Sequence, residues 1–272
     1  MSEHAAPLLE VRDLCVAFGE DRRREVVRHV DLDLTPGEIL GIVGASGSGK
    51  TTTLRAIVGH LPRGAAVTSG SVRFQGVDLV TAGDAGLRRV RGRKIAMIVQ
   101  NPASALNPLR TVGDQMRRLA RDRGAPLDRD TARRHLRMVG IADDQRVFGA
   151  YPHELSGGMA QRVLIAMALG AEPLVIIADE PTSALDVTIQ AQIMELLRSL
   201  VDERGVSIIF VTHDIALVGE YCERVAVMNQ GAIVEQGSSD DVIYAPTQDY
   251  TRHLVDSARP LRWARRQGAA LG

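Results

Sequence analysis

The stretch ILGIVGASGSGKT, residues Ile39–Thr51, decides the fold of this 272-residue chain. Its first five residues are typical of a short buried strand, and the residues from Thr51 onward, TTTLRAIVG, are typical of a helix. Between them, GASGSGKT (Gly44–Thr51) matches the pattern G-x-x-x-x-G-K-[ST] in the strand–loop–helix context that it requires. Its glycines let backbone N–H groups surround phosphates, Lys50 supplies positive charge to the β- and γ-phosphates, and the Thr51 hydroxyl is a ligand for Mg²⁺. The alternative is a glycine-rich turn that arose by chance, and the flanking strand and helix argue against it.

Further patterns on both sides of this loop predict an α/β fold. Short apolar runs alternate with helical patterns, which is typical of a mainly parallel sheet covered on both faces. Two alternating stretches near the N-terminus predict further strands, and Ser69–Gly76 reads as an edge strand. The predicted division is 1–100 for the first part of the core, 101–169 for a helical insertion, 170–237 for the second part of the core and 238–272 for a polar helical tail with a frayed end.

Charge and cysteine content limit the partners and the compartment. The 33 basic and 33 acidic residues cancel, so no net field attracts nucleic acid, and we expect no nucleic-acid partner. Cys15 and Cys222 lie far apart without a partner motif, which fits a reducing compartment and argues against a disulfide framework or a metal cluster. We expect neither a signal peptide nor a membrane span, so a partner would supply the spanning part of any membrane assembly.

Polar residues at the ends of predicted strands are candidates for metal binding and catalysis. LVIIADEP, Leu174–Pro181, ends in Asp179, a carboxylate suited to hold Mg²⁺, and in Glu180, which can polarise an attacking water. Gln100 and His213 end two further strands, where they could reach the metal, the water or a γ-phosphate. The alternatives are two solvated carboxylates, and a glutamine and a histidine with structural roles.

A second candidate anion site is LSGGMAQR, Leu155–Arg162, which precedes an apolar helical run. Backbone N–H groups at a helix start carry partial positive charge, so Ser156 and the two glycines can face a phosphate. Farther along, Asp186 has the features of a helix N-cap, before apolar residues at helical spacing.

The order of these motifs resembles that of the ABC transporter ATPases, from about Leu8 to Gly237. The resemblance implies an α/β P-loop NTPase (RecA-like) core with an N-terminal antiparallel β subdomain and an inserted α-helical subdomain. It also implies ATP and Mg²⁺ as cofactors and a head-to-tail dimer of two ATPase subunits. In that dimer Ser156, Gly157 and Gly158 would act on the ATP of the partner, and Asp186 would link the two sites.

The site residues that the resemblance implies fall into three groups. Nucleotide contacts would come from Phe18, Gly44, Ser46, Gly47, Ser48, Gly49, Lys50, Thr51, Thr52, Ser156, Gly157, Gly158, Gln161 and Asp186. Mg²⁺ would be held by Thr51, Gln100 and Asp179, and catalysis would use Glu180, His213 and Gln100. Phe18 occupies the place of an aromatic that stacks on adenine, and a core aromatic is an equal alternative.

Three further stretches resemble the ATP-binding subunits of peptide and nickel importers: QNPASALNP from Gln100, YPHELSGGMAQR from Tyr151 and YAPTQDYTRHLV from Tyr244. The resemblance implies two transmembrane permease subunits, an extracytoplasmic solute-binding protein and a peripheral location at the cytoplasmic face of the membrane. Asn101–Asn107 would contact the permease. The lack of cysteine after Cys222 departs from many peptide-type members and tilts the expectation towards nickel or metal-chelate uptake.

Other functions stay open at this point. A soluble ABC ATPase of DNA repair or translation, and an exporter subunit, are the alternatives to an importer. The cargo, the role of the tail and the identity of the second ATPase subunit, a copy of this chain or a paralogue, are not decided by the sequence.

Overall fold

The computed structural model describes residues 6–19, 24–124, 126–183 and 185–262 and divides the chain into two compact units. Unit 1 consists of Met1–Gly83 and Ile209–Gly272, and unit 2 is Asp84–Ile208. The predicted frayed end, 262–272, lies outside the described residues except for its first residue. The domain boundaries expected from the sequence remain a prediction.

Unit 1 carries most of the strands. Its elements are β1 Leu9–Phe18, β2 Arg24–Leu34, β3 Ile39–Val43, α1 Lys50–Ile57, β4 Ala65–Phe74, β5 Val77–Asp78, α9 Ile215–Tyr221, β9 Arg224–Asn229, β10 Ala232–Ser238, α10 Ser239–Tyr244 and α11 Asp249–Arg262. Unit 2 contains α2 Gly83–Val90, β6 Ile95–Ile98, α3 Pro102–Ala105, α4 Val112–Asp122, α5 Arg129–Met138, α6 Asp144–Gly149, a 3-10 turn Pro152–Glu154, α7 Gly157–Leu169, β7 Val175–Asp179 and α8 Val187–Arg204. Strand β8, Ser207–Thr212, runs through the boundary.

An antiparallel sheet in unit 1 has the strand order β2-β1-β4-β5. Leu9 pairs with Leu34 on one side and with Phe74 on the other, and all three side chains are buried, so the apolar positions of neighbouring strands share the core face. The expected edge strand is wrong, because β4 lies between β1 and β5. Positive φ angles at Gln75 and Gly76 turn the chain back, so that β5 pairs with the end of β4.

Parallel pairing joins β3 to β9 in unit 1 and β6 to β7 in unit 2, while β9 and β10 form the predicted hairpin. Every residue of β3 and β7 is buried, as expected for parallel strands covered on both faces. The mixed α/β fold predicted from the sequence is therefore confirmed.

Five helices of unit 2, α4 to α8, begin at side chains that accept hydrogen bonds from the first-turn N–H groups. These N-caps are Thr111, Asp128, Asp143, Ser156 and Asp186. Each cap satisfies a backbone donor that the helix itself cannot, which fixes the helix start. Across the residues that the structure describes, no helix is both long and apolar enough to cross a membrane.

Candidate functional site

The glycine loop connects the buried strand β3 to α1, and Lys50 is the first residue of that helix. The Lys50 side chain is 5% exposed, and its Nζ donates to the carbonyl oxygens of Gly44 at 2.8 Å and Ala45 at 3.0 Å. A buried ammonium therefore lies inside the loop, where its charge is screened little by water. Four further predicted members of the site are exposed or half-buried: Ser46, Gly47, Thr51 and Thr52.

Two glycines of this loop have a steric or conformational reason to be glycine. A Cβ on Gly44 would lie 2.1 Å from the carbonyl oxygen of Met228. Gly49 precedes α1 with φ +103°, and a Cβ there would lie 2.9 Å from the carbonyl oxygen of Val26. The loop can therefore keep its tight path only with glycine at these positions.

The loop also has the features that a phosphate needs. Gly49 supplies no side-chain cap, and no acidic residue stands in the first turn of α1, so the N–H groups there keep their partial positive charge. The Ser48 hydroxyl is buried and has no hydrogen-bond partner within the described residues. An anion seated on this loop would give that hydroxyl a partner, which agrees with phosphate binding.

A contact from the C-terminal helix reaches this loop, and the sequence did not reveal it. The backbone N–H of Ala45 donates to the hydroxyl of Tyr250 at 3.0 Å. Glu235 holds the start of α11 by accepting the N–H groups of Thr247 at 2.7 Å and Gln248 at 3.2 Å. Burial raises the pKa of Glu235, but these hydrogen bonds lower it by more, so its pKa lies below its ordinary value. An ionised carboxylate therefore anchors the helix that carries Tyr250.

In unit 2 the structure brings Gln100 and Glu180 together. Glu180 directly follows β7 and Gln100 follows β6 at the second position, and the two strands pair in parallel, so their ends lie side by side. The Gln100 Nε2 donates to Glu180 Oε2 at 2.9 Å. Asp179, the last residue of β7, is 6% exposed. Glu180 has φ +46°, a left-handed conformation that costs a residue with a Cβ about 1–3 kcal/mol and is found most often at functional sites.

The second predicted anion site is the start of α7. The Ser156 hydroxyl accepts the N–H of Met159 at 3.3 Å, so it caps the helix in this structure. Gly157 is exposed, and a Cβ added to it would make only an ordinary contact, 3.5 Å from Leu185 Cδ2. The exposed helix start can therefore face an anion outside this chain.

Gly158 and Gln161 lie deeper in unit 2. A Cβ on Gly158 would lie 2.7 Å from Cγ2 of Ile189 in α8, so the two helices approach closely at this glycine. Gln161 is 0% exposed, and neither atom of its amide has a hydrogen-bond partner in the part of the chain that is described. In this conformation Gln161 does not reach the surface from which a nucleotide would arrive.

The other predicted site residues lie at element ends. Asp186 caps α8 by accepting the N–H groups of Thr188 at 3.1 Å and Ile189 at 3.0 Å, as the sequence predicts. His213 is exposed directly after β8. Phe18 ends β1 and is half-buried, so it is neither a fully enclosed core aromatic nor a free surface one.

The family described as ABC transporter matches residues 27–183. The chain belongs to this family and is an ATPase of the ABC type, with the α/β nucleotide-binding fold predicted from its sequence.

Two curated relatives within this family show substantial sequence identity to the chain. The chain is 47% identical to the peptidoglycan transport ATP-binding protein YejF of Agrobacterium fabrum, over 92% of this chain and 46% of that relative. It is 46% identical to the probable peptide ABC transporter ATP-binding protein y4tR of Sinorhizobium fredii, over 95% of this chain and 78% of the relative. The chain thus spans less than half of the first protein and more than three quarters of the second.

Two solved structures share the fold. The cassette cbiO1 from Clostridium perfringens, described as part of the transporter complex cbiONQ, has a TM-score of 0.76 and 28% identity over 95% of this chain and 96% of its own. The ATP-binding cassette MJ0796, a dimer in a post-hydrolysis state bound to ADP and phosphate, has a TM-score of 0.74 and 28% identity over 85% of this chain and 98% of its own.

Proposed function

We propose that the chain binds and hydrolyses MgATP as the ATPase subunit of an importer of the peptide and nickel group. The observation that carries the nucleotide part is the glycine loop, which ends in the uncapped start of α1. It is lined by a buried Lys50 and by a Ser48 hydroxyl that has no hydrogen-bond partner among the described residues. This combination supplies charge, backbone donors and a hydroxyl to one polyphosphate.

The roles of the polar residues follow from their chemistry. Lys50 leaves its two carbonyl partners for the β- and γ-phosphates, and Ser48 and the first N–H groups of α1 bind the remaining oxygens. Thr51 is one proposed ligand of Mg²⁺ and Asp179 is another, and the ion would supply positive charge to the phosphates in the transition state. Gln100 extends this ligand set through its amide oxygen.

Glu180 is the proposed residue that polarises the attacking water. Its carboxylate accepts the hydrogen bond from Gln100, which orients it to accept a proton from water. His213, which is exposed directly after β8, is the proposed donor to the γ-phosphate.

We propose that two such subunits share their nucleotides head to tail. Exposed Ser156 and Gly157 at the start of α7 can face the ATP of a partner, and Asp186 stands at the start of the adjacent α8. The dimeric, ADP-bound state of MJ0796 supports this arrangement. The interior position of Gln161 favours a supporting role beneath the helix start over a direct nucleotide contact.

The proposed contact with the membrane permease is the segment from Asn101 to Asn107, which the structure shows to contain the short helix α3. A largely apolar cavity of about 310 Å³ lies in unit 2 beside it, lined among others by Asn101, Pro102, Leu106 and the fully buried Gln161. Leu109, two residues beyond Asn107, has 86% of its surface exposed. The cavity and Leu109 together offer an apolar surface to which a helix of a permease can bind at the cytoplasmic face of the membrane.

The names of the two relatives favour a cargo that contains peptide, and a metal chelate is the second candidate. The cargo would be delivered by an extracytoplasmic solute-binding protein and pass through two permease subunits. The membership of cbiO1 in a transporter complex supports an assembly of this kind.

The test is to purify the chain with its native partners from solubilised membranes and to identify every subunit. We expect two permeases and a binding protein whose ligand names the cargo. Leu109→Ser should reduce permease recovery at least ~10-fold, the effect of about 1.4 kcal/mol, while retaining ATP binding. The control is Val77→Ser, because Val77 in β5 is also an apolar residue on the surface, 56% exposed. This variant should leave both permease recovery and ATP binding unchanged.

The outcomes separate the candidate functions. Recovery without any membrane partner, or with ribosomes or nucleic acid, would contradict the importer and favour a soluble ABC ATPase. Full permease recovery with Leu109→Ser would reject the proposed contact but not the importer.

A further inference from the structure

Three metal-binding side chains of different chemistry meet on the antiparallel sheet of unit 1. The Asp13 carboxylate, the Cys15 thiol and the His29 imidazole offer ligand atoms that all lie within 4.8 Å of one another. His29 Nδ1 is 2.6 Å from Asp13 Oδ1 and 3.8 Å from Cys15 Sγ. The residues are too widely spaced in sequence to form a recognisable motif, and only the pairing of β1 with β2 brings them together.

The backbone at this place is irregular in both strands. The register between β1 and β2 shifts on either side of Leu14, and Asp13 and His29 both have positive φ, at +49° and +46°. Residues with a Cβ seldom adopt this left-handed conformation, and those that do cluster at functional sites. On the third strand, β4, a Cβ on Gly70 would lie 2.3 Å from the carbonyl oxygen of Asp13, so a glycine accommodates the bulge.

Burial and hydrogen bonds arrange the three groups as a site that is open on one side. Cys15 is 3% exposed, whereas the side chains of His29 and Asp13 are 75% and 61% exposed. The backbone N–H of His29 donates to Cys15 Sγ at 3.2 Å and orients the sulfur. Asp31 accepts the backbone N–H of Asp13 at 2.9 Å and holds the bulge in place. The sulfur thus forms the floor, and the two exposed side chains can move to close on an ion.

We propose that Asp13, Cys15 and His29 bind one Zn²⁺, with water as the fourth ligand. Zinc accepts thiolate, imidazole and carboxylate together, whereas Mg²⁺ and Ca²⁺ take oxygen ligands. Zinc–ligand bonds of about 2.0–2.3 Å in a tetrahedron place the donor atoms roughly 3.3–3.5 Å apart. The sulfur–nitrogen distance is already close to this, and the Asp13–His29 hydrogen bond has to open by about 0.7 Å as the metal replaces its proton.

The bound ion would cross-link β1 to β2. Metal that binds the folded chain and not the unfolded one raises the melting temperature in proportion to the logarithm of its free concentration. The site is separate from the proposed MgATP site and does not depend on it.

The test is a titration of the full-length chain, freed of metal and nucleotide, with Co²⁺ and then Zn²⁺. We expect one Co²⁺ per chain with a thiolate-to-metal charge-transfer absorption, lost when an equal amount of Zn²⁺ is added and unaffected by millimolar Mg²⁺. Cys15→Ser should abolish this absorption and the Zn²⁺-dependent rise in melting temperature. His29→Gln and Asp13→Asn should each weaken Zn²⁺ binding at least ~10-fold.

Cys222→Ser and His60→Gln are the matched controls, because Cys222 is also buried in unit 1 and His60 is exposed there. Both should bind Co²⁺ as the wild type does. Absence of the absorption in the wild type, or its persistence in Cys15→Ser, would overturn the proposal. If Cys15→Ser does not fold, the exposed His29→Gln variant decides: unchanged Zn²⁺ affinity would equally overturn it.

Discussion

Gly113, the second residue of α4, lies against the ring of Phe148 in α6. A Cβ on Gly113 would be 2.4 Å from two ring carbons and 2.6 Å from a third. The ring has little room to retreat, because Phe148 is 7% exposed and the guanidinium groups of Arg117 and Arg129 stand over it at 5.6 and 5.5 Å. We therefore predict that Gly113→Ala destabilises unit 2, although the same change ordinarily stabilises a helix.

The size of the effect follows from two opposing terms. Carbon atoms pack best about 3.5–4.0 Å apart, so the ring would have to move by roughly 1 Å, and such overpacking costs about 1–3 kcal/mol. The helix propensity of alanine over glycine returns at most about 1 kcal/mol. With a propensity gain of about 0.5–1 kcal/mol, the net loss is about 0.5–2 kcal/mol. Phe148→Ala alone should cost about 3–5 kcal/mol, and in that background Gly113→Ala should stabilise by about 0.5–1 kcal/mol, because the clash is gone.

The four proteins of this double-mutant cycle can be compared by urea unfolding followed by far-ultraviolet circular dichroism. The expected coupling between Gly113 and Phe148 is the overpacking cost, about 1–3 kcal/mol, with a reversal of sign for Gly113→Ala. Hydrogen exchange of the α4 amides would locate the change in unit 2. A Gly113→Ala effect that is stabilising and equal in both backgrounds would refute the reasoning, since it would mean that the ring does not contact the glycine.

Three further predictions concern the site and the pH dependence. Glu180→Gln should leave ATP binding intact and slow single-turnover hydrolysis about 10²–10⁴-fold, and normal hydrolysis by this variant would exclude Glu180 as the base. Lys50→Ala should instead weaken nucleotide binding in a filter or fluorescence assay. Tyr250→Phe removes the acceptor of the Ala45 N–H and should lower the free energy of unfolding by about 1 kcal/mol. The variant should show a lower melting temperature and faster hydrogen exchange of the Ala45 amide. Unchanged exchange of that amide would contradict the contact. Burial lowers the pKa of His135 below its ordinary 6.5, so the unfolded chain takes up the proton first as the pH falls. The free energy of unfolding should therefore decline on acidification below about 6.5, and it should decline less steeply in His135→Gln. Equal slopes of the two proteins in urea melts at several pH values would count against this assignment.

The elements that the sequence predicted well depend on local patterns. The strand–loop–helix around Lys50 follows from the spacing of its glycines, and the helix start at Asp186 follows from a cap placed before an apolar stripe. The β9–β10 hairpin is likewise written in adjacent residues, around Gln230 and Gly231, both with positive φ. Such features need no knowledge of distant parts of the chain.

The features that the sequence did not reveal depend on contacts between distant residues. Ala45 and Tyr250 are separated by 205 positions, and no local pattern connects a tyrosine in the last helix with the glycine loop. The burial of Gln161 depends on how α7 packs, and the meeting of Cys15 with His29 depends on a register shift between two strands. A one-residue change of register would turn every following side chain to the other face of the sheet. The periodicity of the sequence alone does not show where such a change occurs.

The two glycines at the start of α7 differ in what their replacement would report. At Gly158 an added methyl group would meet Ile189 of the same unit, so a loss of activity in Gly158→Ala would mix damaged helix packing with any loss of phosphate contact. At Gly157 the added group would find an ordinary contact with Leu185, so the fold has no reason to change. Gly157→Ala is therefore the more informative substitution at the start of α7. In that variant, a defect that appears only in the assembled dimer can be separated from a defect of the single chain.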